Sequence, residues 1–239
     1  MKTFSVLSLT LLVTLLTGCG TTAKFVYPGR MADLIRFQES AAINKKVAVL
    51  PFDDYRNDSN TSGTMALYAL PLMPWGWVDY DRPDAARLFV SIHSFDFNAS
   101  EDLAKAAALS LRRSNLFEDA YFTFGGEKDT ADYIFTGRVY STNYEGTIYS
   151  YGISIACPYL WLIGLPVGSS WNTLDVKFEL HDKTSKKLLW EYVFQRRAKT
   201  VQGLYYHRGH DVLQYPYLMQ AAMNEALQDM SSKLRSLKK

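Results

Sequence analysis

Cysteine is nearly absent from this 239-residue chain, which has only Cys19 and Cys157. A scaffold stapled by several disulfides is excluded, so packing must supply the stability. Charge of one sign is equally scarce: 26 Lys and Arg stand against 24 Asp and Glu, a formal net charge of +2. No nucleic acid or other polyanionic partner is implied. Long apolar runs are missing too. Residues 4–16 form a 13-residue apolar stretch interrupted only by Ser and Thr, short of the roughly 20 residues a helix needs to cross a bilayer. Residues 153–167 carry no charge but are broken by Pro158 and Pro166, which excludes a single spanning helix there as well. Neither a Ser-centred nucleophile elbow nor a glycine loop for a phosphate occurs.

What is present begins at the N-terminus. Met1-Lys2 gives a positive end, the apolar stretch follows, and Thr17-Gly18 places small residues ahead of Cys19. That is the plan of a secretory signal over residues 1–18. Leu16-Thr17-Gly18-Cys19 resembles the lipobox of bacterial lipoproteins. The resemblance implies cleavage before Cys19 and acylation of its sulfur and new amino group. Three acyl chains exceed the two signals that stable anchoring requires. Gly20 rather than Asp follows the cysteine, which resembles the Gram-negative pattern for an outer-membrane lipoprotein facing the periplasm. The alternative is an ordinary signal peptide with an incidental cysteine. Removing residues 1–18 takes away one lysine and no acid, leaving 25 basic and 24 acidic residues. With Cys19 lipidated, Cys157 has no disulfide partner.

Residues 19–44 show no sustained strand, though 32–42 could form a short helix; they read as a lipidated tether and lead-in to one domain, residues 45–239. Val47-Ala48-Val49-Leu50-Pro51-Phe52 is a buried strand closed by proline. Residues 53–63 are a turn-rich loop. Residues 67–77 cluster Leu, Met and Trp around Pro71, Pro74 and Gly76, and the spacing predicts a long apolar loop. Residues 88–92 suit a short second strand. Residues 99–113 are the clearest helix, with Ser100 as N-cap, Glu101 and Asp102 in the first turn and Arg112-Arg113 at the end. Strands are expected over 116–124 and 132–141. Residues 174–181 and 188–194 flank the polar run 182–187 as an antiparallel hairpin. An amphipathic helix over 217–237 closes the chain. The order predicts an α/β fold: a two-layer mixed sheet with helices on one face and two apolar insertions.

Three of these segments resemble one superfamily, which includes the curli-secretion lipoproteins, the penicillin-binding-protein activator lipoproteins and the N-terminal domain of the TolB translocation protein. Val47 through Phe52 with Asp53, Asp54 and Asn57 resembles their opening strand and polar loop. Asp132-Tyr133-Ile134-Phe135-Thr136-Gly137-Arg138-Val139 resembles their aspartate-tyrosine strand. Residues 174–190, ending in Leu189-Trp190, resemble their hairpin. The likeness covers roughly residues 45–235 except 67–87 and 153–167. It implies non-enzymatic work as secretion channels, activators and adaptors, and it supplies no catalytic residue.

The uncharged stretch 153–167, with Tyr159, Leu160, Trp161 and Leu162, is open to three readings: a buried crossover, a partner-docking surface or a membrane contact. Leu72, Trp75 and Trp77 have the same character, and the two segments together would exceed what a soluble monomer leaves uncovered. The expected function is an outer-membrane lipoprotein acting as an adaptor of an envelope complex, with an envelope protein as partner, the membrane reached through the lipid and homo-oligomerisation open. A pore-forming oligomer is the competitor, for which only residues 144–155 suggest a suitable strand. An envelope hydrolase comes third. No cofactor besides the lipid, no catalytic residue and no metal site is expected: His207-Arg208-Gly209-His210-Asp211 matches no ligand spacing, Asp53 and Asp54 suit turn capping, and Cys157 in its apolar run is inert.

Overall fold

The computed structural model describes residues 21–38, 43–126 and 130–236. Leu16, Thr17, Gly18 and Cys19 lie outside them. In chain order the described elements begin with β1 (Thr22–Lys24), β2 (Ile43–Val49), β3 (Asp53–Asp54), β4 (Asn60–Thr61), β5 (Trp75–Tyr80) and β6 (Ser94–Asp96). Helix α1 (Ala99–Arg113), β7 (Phe117–Phe122), β8 (Tyr133–Ser141) and β9 (Tyr144–Tyr149) follow. A short α2 (Cys157–Leu162), β10 (Gly168–Asp182), β11 (Leu188–Gln202) and α3 (Gln214–Ser236) complete the chain.

The hairpin is the backbone of the sheet. Alternation in β10 sends Leu174, Val176, Phe178 and Leu180 inward, all fully buried, while Asp175, Lys177, Glu179 and His181 face the other way. Each such buried side chain contributes about 1.5–3 kcal/mol. The hairpin extends further than its apolar pattern predicts, pairing Gly168 with Gln202. On its other side β10 pairs antiparallel with β8 through its second half and with β9 through its first. Strands β8 and β9 are thus two halves of one bent strand. The bend falls at Thr142-Asn143, where Tyr215 Oη donates to both carbonyls (2.7 and 3.0 Å). On β8 lie β2 and β3, both parallel to it, with β7 parallel to β2 beyond; beyond β9 lie β5 and β4, antiparallel. The expected mixed α/β sheet is therefore observed, with nine strands among the described residues.

Helices α1 and α3 cover one face. In α1, Leu103, Ala106, Ala107 and Leu111 are buried, while Lys105, Arg112 and Arg113 stay exposed. The opposite face is a charge mosaic: Lys177 pairs with Glu179 (3.0 Å) and Glu191 (2.7 Å), and Arg138 with Glu179 (3.4 Å).

Several elements depart from the sequence expectation. The N-cap of α1 is Asn98, whose extended backbone lets its side chain accept from Glu101 N–H (3.2 Å). Ser100 instead donates to Phe52 O. Residues 88–92 find no sheet edge; the strand forms later as β6, which pairs with β1. Helix α3 starts three residues earlier than predicted, with Pro216 in its first turn, where no N–H is required. Leu237 lies outside the described residues. Only Met31–Asp33, as one 3-10 turn, is helical near the expected 32–42 helix, of which 39–42 lie outside the described residues. Residues 22–37 are not a free lead-in. Phe25 packs on Phe97 (5.2 Å between ring centroids), and Tyr27 bonds Ser110. Gln220 of α3 exchanges two hydrogen bonds with the Arg30 backbone (2.7 and 3.0 Å), and Phe37 N–H reaches Ser114 O (2.7 Å). Phe25, Tyr27 and Phe37 are what gives this segment enough apolar surface to dock.

An exposed apolar end as the candidate functional site

Two apolar segments far apart in sequence are brought together by one strand pair. Residues 75–80, of which 75–77 belong to the expected apolar loop, form β5 against β9, with Trp75 opposite Tyr149 and Trp77 opposite Thr147. Pro71 and Pro74 precede the strand, so neither removes a ladder hydrogen bond. Gly76 is required because a Cβ there would meet the carbonyls of Thr64 and Met65 at 2.7 Å. Alternation turns Val78 and Tyr80 into the core and leaves Trp75 and Trp77 exposed.

The 153–167 stretch does not pass under the sheet. It leaves the end of β9, makes a 3-10 turn (Ser154–Ala156) and then α2, and returns to β10. Cys157 points fully inward, as does Val167 at the segment's end; burial pushes the Cys157 thiol pKa up, as expected for an inert cysteine. Tyr159, Leu162 and Ile163 point outward, while Leu160 and Trp161 are half-buried, Trp161 donating its indole N–H to Tyr149 O (3.0 Å). The two segments are laced together. Leu72 N–H reaches Gly152 O (3.0 Å), Ser150 and Tyr151 N–H both reach Pro74 O (3.0 and 3.1 Å), and Ser154 bonds Ala69 O. A third strand of chain joins them: Tyr205 Oη donates to Leu162 O (2.8 Å).

The result is one continuous surface. Leu72 is 89% exposed, Ile155 82% and Tyr159 73%, with Trp75, Trp77, Leu162, Ile163 and Tyr205 also open. The surface is also strained: Leu72 (φ 66°), Tyr151 (φ 56°) and Ser154 (φ 55°) are left-handed without being glycine. Such strain costs about 1–3 kcal/mol per residue and persists where function requires a conformation. Residues 62–78, 146–174 and 199–210 contain no Asp or Glu, whereas Lys199 and Arg208 flank the patch. At its rim Arg197 lies over the Trp171 ring at 4.3 Å and Lys199 at 5.2 Å. All seven sequence-predicted contact residues, Leu72, Trp75, Trp77, Tyr159, Leu160, Trp161 and Leu162, belong to this end. Tyr205 was missed because the signal is only a short Leu204-Tyr205-Tyr206 run inside a polar loop.

The other candidates serve the scaffold. His207 Nδ1 lies 3.0 Å from Val201 O and its ring 5.4 Å from that of His210; among the described residues no three metal-ligating side chains converge. Asp211 is buried. It accepts from Ser91 N–H (2.9 Å) and Tyr144 Oη (3.1 Å), and burial raises its pKa. This knot fixes the 203–210 loop beside the patch. Asp53 and Asp54 form β3; Asp54 pairs with Arg56 (2.9 Å) and Arg82 (2.9 Å). Burial pushes the Asp54 carboxyl up, but the bonds and charges of Arg56 and Arg82 together outweigh it and hold it below the usual carboxylate range.

No protein-family model matches the chain, and no curated protein does. Among solved structures it is similar to a DUF330-family protein of Xanthomonas campestris, at 8% identity and a TM-score of 0.48, covering 91% of this chain and 99% of that one. It is also similar to the PelC dodecamer of Paraburkholderia phytofirmans, at 14% identity and a TM-score of 0.41, covering 80% and 89%. Both scores lie below 0.5, too distant a likeness to carry function across.

Proposed function

We propose that this chain is an outer-membrane lipoprotein, anchored through Cys19 on the periplasmic face, that works without catalysis as an adaptor of an envelope assembly. Its apolar end is a contact surface. The observation that carries this reading is the joining of residues 70–77 and 153–163 into one exposed, strained surface with no carboxylate. Folding leaves such a surface uncovered only at a cost, so a contact must repay it. The non-enzymatic part is supported by Asp54, Asp211 and His207 being engaged in structural bonds.

Two experiments test it. Cys19→Ser should accumulate as precursor or as soluble periplasmic protein; a variant that still fractionates with the outer membrane refutes the anchor. A photocrosslinking side chain at Tyr159 or Leu162, in the native envelope, should give adducts, whether to lipid, to another protein or to a second copy. A control at Tyr217 on α3 should not. No adduct at either patch position refutes the contact surface.

A further inference from the structure

We propose that the apolar end lies flat against a lipid bilayer and that the chain between lipid and fold is too short to allow anything else there. The proposal rests on the reading of Cys19 as acylated and names the occupant of that surface. Thr21 is already part of the fold: its carbonyl accepts from His93 N–H (3.0 Å), and Thr22 opens β1. Only Gly20 separates it from Cys19, so the two Cα atoms are at most about 7.6 Å apart. An acylated Cys19 therefore brings the leaflet to within one or two residues of Thr21.

Thr21 is tied to the strand ends that border the apolar end. From His93 the chain leads back to Ser91, whose Oγ accepts from Gly209 N–H (2.9 Å), and to Val90. Val90 packs on Gly168 so closely that a Cβ there would meet its Cγ1 at 2.8 Å. Gly168 directly follows the 153–167 segment. The end of β9, the start of β10, the end of β11 and the 203–210 loop meet around Gly168 and Ser91, and the bond from His93 places Thr21 two residues of chain from Ser91. A bilayer holding the acyl chains occupies the space a protein partner of this surface would need.

The chemistry of the surface fits lipid. Leucine and isoleucine tips, Trp and Tyr with polar edges, flanking Lys199 and Arg208 and no carboxylate form the composition that settles at the headgroup level. Acidic residues would be repelled there by anionic lipid. The orientation follows. Strand β10 starts at the membrane and runs away from it, so the 183–187 turn projects about 45 Å from the anchored end.

The test uses the full mature protein in vesicles of phosphatidylethanolamine and phosphatidylglycerol, with plain or brominated acyl chains. Bromine quenches indoles that touch the hydrocarbon. Trp75, Trp77 and Trp161 are at the anchored end and Trp171 at its rim, while Trp190 is buried opposite Leu180 near the far end of the hairpin. The expected result is emission lost to brominated lipid, with the loss reduced in Trp75→Phe/Trp77→Phe, a pair of exposed, conservative changes. Equal emission in both lipids, from protein that floats with the vesicles and whose N-terminal peptide has the mass of acylated Cys19, overturns the proposal and leaves the lipoprotein reading standing. An unacylated Cys19 removes both.

Discussion

Replacing Arg56 by methionine probes the junction on which the patch-bearing half of the sheet depends. The Arg56 side chain is 3% exposed and donates to Asp54 Oδ1 (2.9 Å) and Oδ2 (3.0 Å), Asp84 Oδ1 (2.7 Å) and Thr142 Oγ1 (2.8 Å). Thr142 lies at the bend between β8 and β9. Methionine fills the stem but leaves two carboxylates facing each other without their cation. Removing one partner of a buried ion pair costs about 3–5 kcal/mol. Asp54 and Asp84 are 26% and 24% exposed, and Arg82 still pairs with Asp54 at 2.9 Å, so water and Arg82 hold the loss to about 3 kcal/mol. Urea unfolding followed by circular dichroism should show a lower midpoint at unchanged slope. The acid profile gives a second readout. Because Asp54 titrates below its ordinary value, the folded chain binds fewer protons there than the unfolded one. Its stabilisation is complete above about pH 4 and is lost as pH falls through the lowered value. The variant should flatten that decline without abolishing it, since Arg82 remains. A loss under about 1 kcal/mol, or an acid limb identical to the parent's, refutes the cluster as a structural tie.

Gly137→Ala in β8 would place a Cβ 2.7 Å from the buried Phe52 ring, an overpacking expected to cost about 1–3 kcal/mol in the same urea assay. Leu72→Gly relieves a left-handed backbone at a side chain that buries almost nothing; stability should rise by roughly 0.5–1 kcal/mol while adducts from the neighbouring patch positions decline. A fall in stability would mean that Leu72 is packed. Cys157 should resist alkylation at pH 8 in the folded protein and react once urea is added, with one thiol titrating per mature chain; two would mean that Cys19 is not acylated.

The sequence by itself determined the elements whose periodicity is local. The inward row Leu174, Val176, Phe178, Leu180 and the polar run 182–187 define the hairpin, because alternation and a turn need no distant partner. Acidic and basic ends frame α1 for the same reason. It also marked both apolar segments as exceptional, from composition alone. The tertiary structure decided what those segments are. Pro71, Pro74 and Gly76 speak against a strand, and Trp75–Tyr80 becomes one only because β9 offers a free edge; residues 88–92 have better strand composition and form none, because no edge faces them. Phe25, Tyr27 and Phe37 read as lead-in until the groove beside α1 and α3 exists to receive them. The patch is likewise a product of pairing at a distance. Composition says a segment is apolar, but whether it is buried, and beside what, depends on strand partners tens of residues away.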